Sequence, residues 1–145
     1  MPESQPPVAT VRPVDPSEAT GKVAEIFEDI KRTKNIDFVP RFWQVIASNP
    51  TQLEVVWTSL KTIMHPEAVG RTPRLDAVTR EIIAVAVSAT NGCNYCVNSH
   101  TTALKKLGLD AEAIGEMMAV VGLFNMTNAM ANGYQIEPDV RPKWD

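Results

Sequence analysis

Residues 91–100 read Asn-Gly-Cys-Asn-Tyr-Cys-Val-Asn-Ser-His, and this stretch contains both cysteines and one of the two histidines of the chain. The Asn-Gly pair predicts a break between two helices, and the second helix is expected to begin near Cys93. Because residues three, four and seven positions apart share one face of a helix, Cys93, Cys96 and His100 should lie together. Two thiols beside an imidazole indicate thiol redox chemistry.

Apolar residues recur at helical spacing outward from this stretch, and no segment alternates as a β-strand does. The sequence therefore predicts an all-α fold of about six helices, with the C-x-x-C motif at a helix N-terminus. The predicted helices start at Asp15-Pro16, cover 40–46 and 50–64, start again at Thr72-Pro73, and cover 93–108 and 110–132, with a loop over 65–72. An all-α chain excludes the thioredoxin fold, in which C-x-x-C usually accompanies a βαβ pattern.

The predicted organisation is an extended arm over residues 1–14, one helical domain over residues 15–137 and a polar tail over residues 138–145. Trp43 and Trp57 are expected to anchor the core. The apolar stripe predicted for the last helix consists of Ile114, Met117, Met118, Val121 and Phe124.

The composition of the chain argues against a nucleic-acid-binding protein and against a membrane-spanning one. The chain has 145 residues, 44% of them apolar, and a net charge of −3 without a basic cluster, which argues against nucleic-acid binding. No apolar run approaches the roughly 20 residues that a membrane span requires. Because the N-terminus shows no secretory signal pattern, a cytosolic protein is expected, in which a disulfide is transient and catalytic rather than structural.

The residues around the dithiol supply the other groups that thiol chemistry needs. A helix N-terminus favours the thiolate form of Cys93 and Cys96, and His100 can accept or return a proton. Glu81 precedes Cys93 by twelve residues on a largely apolar helix, so antiparallel packing would bring its carboxylate near His100. Ser88 shares the helical face of Glu81 and could join this network.

Two other interpretations apply to the same residues. Glu81 could form a surface ion pair with Arg80 or Arg74 instead of reaching His100. The cysteines and His100 could bind zinc, but a closed structural site takes four ligands and this motif supplies three. We therefore predict no metal and no cofactor.

Glu81-x11-Cys93-x-x-Cys96-x3-His100, followed by Ala103 and Gly108, resembles the core of the AhpD-like alkyl hydroperoxidases of the carboxymuconolactone decarboxylase superfamily. The resemblance is sharpest over residues 72–109. Residues 84–96, Ala-Val-Ala-Val-Ser-Ala-Thr-Asn-Gly-Cys-Asn-Tyr-Cys, resemble the single-domain, peroxidase-related branch.

The resemblance implies an all-helical fold and a thiol peroxidase that reduces organic hydroperoxides. Cys96 matches the peroxidatic cysteine that becomes a sulfenic acid, and Cys93 matches the resolving cysteine that forms a disulfide with it. His100 and Glu81 match the proton relay. The implied electron donor is an external dithiol, either a lipoylated protein or a thioredoxin-like reductant. Homo-oligomers, either trimers or hexamers built from dimers, are also implied.

One position departs from the best-known hydroperoxidases, which carry a second histidine just before the peroxidatic cysteine. This chain has Tyr95 there, and the tyrosine could hydrogen-bond at the site or gate it. The decarboxylases of the superfamily lack the dithiol, so lactone decarboxylation is not expected. The alternative function is a non-catalytic, redox-responsive oligomer that uses the same disulfide as a switch.

Overall fold

The computed structural model describes residues 9–145, which form six α-helices and one short 3₁₀ helix and contain no strand. The α-helices are α1 (Gly21–Lys34), α2 (Arg41–Ile46), α3 (Pro50–Met64), α4 (Ala77–Asn91), α5 (Asn94–Lys106) and α6 (Ala111–Gly133). The predicted all-α class is therefore confirmed. The chain divides into two compact units, the first ending at Pro73 and the second spanning Arg74–Asp145.

The first unit is built on the apolar faces of α1 and α3, with α2 packed against α3. Both predicted tryptophan anchors are confirmed, because Trp43 and Trp57 are each only 3% exposed. Their rings meet edge to face with centroids 5.1 Å apart, the geometry that aromatic pairs prefer. Ile26, Phe27, Ile30, Val39, Ala47 and Leu53 complete this core.

The second unit holds the C-x-x-C motif. Its helix α4 packs against both α5 and α6, and each of the three helices contributes one buried residue to the core. These residues are Val85, Leu104 and Met117, with Val78, Ile82, Leu109 and Ile114 packed around them. The core therefore joins α5, which carries the cysteines, to α4, which carries Glu81.

Two predicted helix starts are wrong. Asp15 does not begin a helix, because its carboxylate accepts hydrogen bonds from the Ser17 backbone N–H and hydroxyl, each at 2.8 Å. Such a bond to the backbone two residues on forms a turn that competes with helix formation. The helix begins at Gly21 instead.

The second wrong start is Thr72-Pro73, since α4 begins four residues after the proline, at Ala77. Asp76 provides the N-cap, and its carboxylate accepts the Thr79 N–H at 2.7 Å. Aspartate is a stronger N-cap than threonine, which explains why the helix begins at the later position.

The predicted loop and the predicted stripe also need correction. Residues 65–72 contain a 3₁₀ helix, Pro66–Val69, rather than a loop throughout. Of the stripe predicted for α6, Met117 is buried and Ile114 and Val121 are half-buried, but Met118 and Phe124 are exposed.

The structure describes the C-terminal end of the chain fully and the N-terminal end in part. Residues 1–8 of the predicted N-terminal arm lie outside the described residues, whereas residues 9–14 form no helix. Residues 138–145 are exposed and also form no helix. The domain boundaries proposed from the sequence stay a prediction. Within residues 9–145, each helix is too short or too polar to cross a membrane.

Candidate active site

A tight turn between α4 and α5 places the first cysteine. Gly92 follows the end of α4 with a positive φ of 73°, a backbone conformation that glycine adopts without steric cost. The Gly92 N–H donates to the Ala89 carbonyl at 3.4 Å, and the Cys93 N–H donates to the Ser88 carbonyl at 2.9 Å. These two bonds close the end of α4 at the break predicted from Asn91-Gly92.

Cys93 is the N-cap of α5, and Cys96 lies in the first turn of that helix. The Cys93 sulfur accepts a hydrogen bond from the Cys96 backbone N–H at 3.3 Å. The two residues are joined by a disulfide, with their Cα atoms 5.3 Å apart. The motif is thus a disulfide at the positive end of a helix dipole, where a thiolate released by reduction is stabilised.

Glu81 and His100 form a close pair between α4 and α5. Glu81 Oε2 lies 2.6 Å from His100 Nδ1, and the side chains are only 14% and 23% exposed. The predicted pairing is present. Because an ionised carboxylate can only accept, Nδ1 carries the hydrogen, and Nε2 of a neutral imidazole is left as a base.

The pair and the dithiol sit on the core-facing sides of their helices. Val85 follows Glu81 by one helical turn, and Leu104 follows His100 by one turn; both side chains are fully buried. Cys96 precedes His100 by one turn on the same face of α5. The core of the second unit therefore holds the polar residues in register across the two helices.

The two supporting candidates occupy different environments. Ser88 is buried, and its hydroxyl donates to the Ala84 carbonyl at 2.6 Å, while its own carbonyl accepts the Cys93 N–H. Ser88 therefore contributes to the turn that carries the dithiol. Tyr95 lies between the two cysteines in the first turn of α5 and is 46% exposed.

Sequence reasoning missed two features of this region. Arg80 was considered only as a surface partner of Glu81, but it is buried and its guanidinium donates to the Leu75 carbonyl. The role of Cys93 as the N-cap was also missed; its place directly after the helix-ending Gly92 was the available signal. Within residues 9–145, no group of three or more His, Cys, Asp or Glu side chains is arranged to hold a metal ion.

Comparisons with known proteins identify the family and the fold of the chain. The model of the carboxymuconolactone decarboxylase family matches residues 62–136, just over half of the chain. The crystal structure of an alkylhydroperoxidase AhpD core from Rhodospirillum rubrum superposes with a TM-score of 0.84 at 37% sequence identity, covering 92% of this chain and 96% of that one.

Curated relatives match over shorter regions. Alkyl hydroperoxide reductase AhpD of Streptomyces griseus is 41% identical over 65 residues, which are 45% of this chain and 36% of that protein. An alkyl hydroperoxide reductase of Mycobacterium tuberculosis is 31% identical over 98 residues, which are 68% of this chain and 26% of that protein. The match thus spans about a third of the first relative and about a quarter of the second. From the family match and the fold, this chain belongs to the AhpD-like proteins of the carboxymuconolactone decarboxylase superfamily.

Proposed function

We propose that the protein is a thiol-dependent peroxidase that reduces organic hydroperoxides. The observation that carries this proposal is the Cys93–Cys96 disulfide on the helix that also presents His100 to Glu81, at 2.6 Å. The alkyl hydroperoxide reductase names of the similar proteins support the same reaction class.

The oxidative half of the cycle uses Cys96 as the nucleophile. Its thiolate attacks the distal oxygen of the hydroperoxide, so an S–O bond forms while the O–O bond breaks. His100, held through Nδ1 by Glu81, supplies the proton that converts the leaving alkoxide into an alcohol. The product on the enzyme is a Cys96 sulfenic acid.

Cys93 then resolves the sulfenic acid. Its thiolate attacks the Cys96 sulfur, an S–S bond forms, and the S–O bond breaks to release hydroxide, which becomes water on protonation. An external dithiol reduces the resulting disulfide and is itself oxidised to a disulfide. A lipoylated protein or a thioredoxin-like protein has the required chemistry. Tyr95 lies between the two cysteines in the sequence and is 46% exposed, so such a donor can contact it.

The test follows free thiols in the reduced protein after addition of tert-butyl hydroperoxide, with and without dihydrolipoamide. We expect rapid loss of two thiols per chain, recovery of both when the dithiol is added, and continued consumption of hydroperoxide. Oxidation that stops after about one equivalent, even with dithiol present, would contradict the peroxidase proposal. That result would favour the alternative, in which the same disulfide switches the assembly of a non-catalytic oligomer.

A further inference from the structure

The two sulfurs of the disulfide have different surroundings, although they belong to one motif. Cys93 is the N-cap of α5, and its sulfur accepts the Cys96 N–H at 3.3 Å. This is the usual N-cap hydrogen bond, from the backbone of the third helical residue to the side chain of the cap. Cys96 lies inside the helix and provides that N–H, so this backbone hydrogen bond favours the Cys93 sulfur.

His100 is placed for the other sulfur. It follows Cys96 by four residues, one turn along the same face, but follows Cys93 by seven, or two turns. Its Nδ1 is occupied by Glu81, so proton exchange takes place at Nε2. The backbone N–H thus favours negative charge on the Cys93 sulfur. The imidazole of His100 instead exchanges a proton with the Cys96 sulfur.

From this asymmetry we infer that reduction of the disulfide has a fixed direction: the external thiolate attacks the sulfur of Cys96, and Cys93 leaves as the thiolate. Thiol–disulfide exchange is faster when the leaving thiol has a lower pKa, and the helix N-cap stabilises that anion. The inference rests on the proposed dithiol cycle and assigns the order of its reductive half.

Reduction of the disulfide proceeds in two thiol–disulfide exchange steps. The donor thiolate forms an S–S bond with Cys96, and the Cys93–Cys96 bond breaks with its electron pair passing to Cys93. A second thiolate of the donor then attacks the donor's own sulfur in the mixed disulfide. The donor leaves as a disulfide, and the Cys96 thiolate is released. The reduced protein has gained two electrons, and His100 can protonate Cys96.

Helices α4, α5 and α6 also carry other charged side chains. On α4, Glu81 bonds to His100 and the Arg80 guanidinium donates to the Leu75 carbonyl. Lys105 and Lys106 lie at the far end of α5, and Glu112 and Glu116 lie on α6. Tyr95 is the titratable residue between the two cysteines.

The first experiment locates the mixed disulfide. The full chain is oxidised with diamide, mixed briefly with 2-mercaptoethanol and quenched with acid, and the remaining thiol is alkylated with N-ethylmaleimide at mildly acidic pH. Trypsin releases residues 81–105 as one peptide, and fragmentation between the two cysteines shows which one carries each label. We expect mercaptoethanol predominantly on Cys96 and the maleimide on Cys93. The reverse pattern, or equal labelling, would overturn the inference.

The second experiment separates thiolate stability from simple access to the sulfur. In Cys96→Ser the backbone N–H of residue 96 can still donate to the Cys93 sulfur, and in Cys93→Ser the serine can still cap the helix, so both variants keep the helix start. Thiolate absorbance of the folded Cys96→Ser variant should give a pKa for Cys93 below the value of about 8.5 that an ordinary thiol has. The same variant unfolded in urea is the control and should return to the ordinary value.

A pKa for Cys93 at or above the ordinary value would refute the inference even if mercaptoethanol labels Cys96. Neither experiment uses a peroxide. If the protein fails to turn over tert-butyl hydroperoxide but gives the expected labelling and titration, the peroxidase proposal fails and the direction of disulfide reduction stands.

Discussion

At the scale of single residues, the orientation of His100 determines what the site can do. The carboxylate of Glu81 holds Nδ1 at 2.6 Å, so Nε2 is the nitrogen that can exchange a proton with the thiol one turn away. Both side chains are mostly buried, and a carboxylate buried without a partner would be costly. The pair is thus both a stabilising contact and the proposed proton relay.

Exchanging each cysteine for serine separates their proposed roles. Cys96→Ser removes the proposed nucleophile and is expected to abolish peroxide reactivity. Cys93→Ser keeps the nucleophile but removes the resolving thiol, so it should leave a sulfenic acid on Cys96. A dimedone adduct detected by mass spectrometry checks this outcome. Equal residual reactivity in both variants would contradict the assignment of roles.

Replacing Glu81 tests the relay. In Glu81→Gln the neutral amide no longer stabilises a charged imidazole at His100, so formation of the Cys96 thiolate loses its support. We expect slower thiol oxidation and a pH–rate profile displaced towards higher pH. Stopped-flow oxidation of the reduced protein across pH provides the measurement, with Glu112→Gln on α6 as the matched control. A profile unchanged from that of the parent protein would remove Glu81 from the relay.

At the scale of the elements, the site depends on how α4 ends, whereas the first unit depends on how α1 binds to α3. The turn at Gly92 sets the direction in which α5 leaves α4, and thereby the position of both cysteines. In the first unit, Asp29 of α1 accepts hydrogen bonds from Trp57 Nε1 at 2.7 Å and from Lys61 Nζ at 2.9 Å, and it also pairs with Arg32. One carboxylate therefore links two helices.

Adding a methyl group at two glycines should have opposite effects. Gly92 has a φ of 73°, where an L side chain is strained, whereas Gly115 lies within α6 with open space around it. We expect Gly92→Ala to lower the free energy of unfolding by about 1–2 kcal/mol. Gly115→Ala should raise it by about 0.5–1 kcal/mol through helix propensity. Urea unfolding followed by circular dichroism measures both; equal effects would show that the Gly92 turn is not strained by a side chain.

The Asp29 carboxylate should make stability depend on acid. Partial burial opposes its ionisation, but hydrogen bonds from Lys61, Trp57 and Arg32 outweigh burial and hold the pKa of Asp29 below its ordinary value of 3.8. A lowered pKa contributes stability above the ordinary value, and that contribution is lost as pH falls through the folded-state pKa. Asp29→Asn should therefore cost about 1–3 kcal/mol at neutral pH, and less below pH ~3.8.

Thermal unfolding at neutral and acidic pH checks the Asp29 prediction. The matched control is Glu54→Gln, which removes the ion pair between Lys22 and Glu54 at 3.2 Å, whose side chains are about half exposed. An exposed pair contributes at most about 1 kcal/mol, so the control should change little. A cost for Asp29→Asn that stays constant as the pH falls would contradict the assignment.

At the scale of the whole molecule, the apolar surface of α6 bears on assembly. Residues 117–136 contain no Asp, Glu, Lys or Arg, and Leu123, Phe124, Met126 and Met130 are each at least 50% exposed. An uncharged surface can face a second copy of itself without repulsion between like charges, which favours self-association. The homo-oligomer stays a prediction, and we propose this surface as its contact.

Placing a charge on that surface should weaken self-association. Phe124→Glu is expected to lower the molar mass measured by light scattering after size exclusion, because each contact would bury an unpaired carboxylate. The control is Lys105→Glu, which places a negative charge at an exposed position of α5. The molar mass of this variant should not change. A monomeric parent protein, or an unchanged mass in Phe124→Glu, would show that α6 does not mediate assembly.

Local patterns in the sequence determined most of the helices, the break at Asn91-Gly92 and the common face of Cys93, Cys96 and His100, because helical spacing depends only on near neighbours. The same reasoning failed at Asp15 and Thr72, since a cap or turn is chosen by competition between hydrogen bonds that the pattern does not rank. The extent of burial of α6 also could not be predicted, because its residues are apolar on more than one face and only packing decides which are covered.

What only the tertiary structure decided is the contact between helices. The sequence allowed Glu81 to pair with an arginine or to reach His100, and packing of α4 against α5 brought Oε2 to within 2.6 Å of the imidazole. The structure also shows Cys93 as the cap of α5, a local contact that makes the two sulfurs of one short motif differ. A motif specifies which groups are present, whereas the distance between a carboxylate and an imidazole nineteen residues apart depends on the core that holds their helices together.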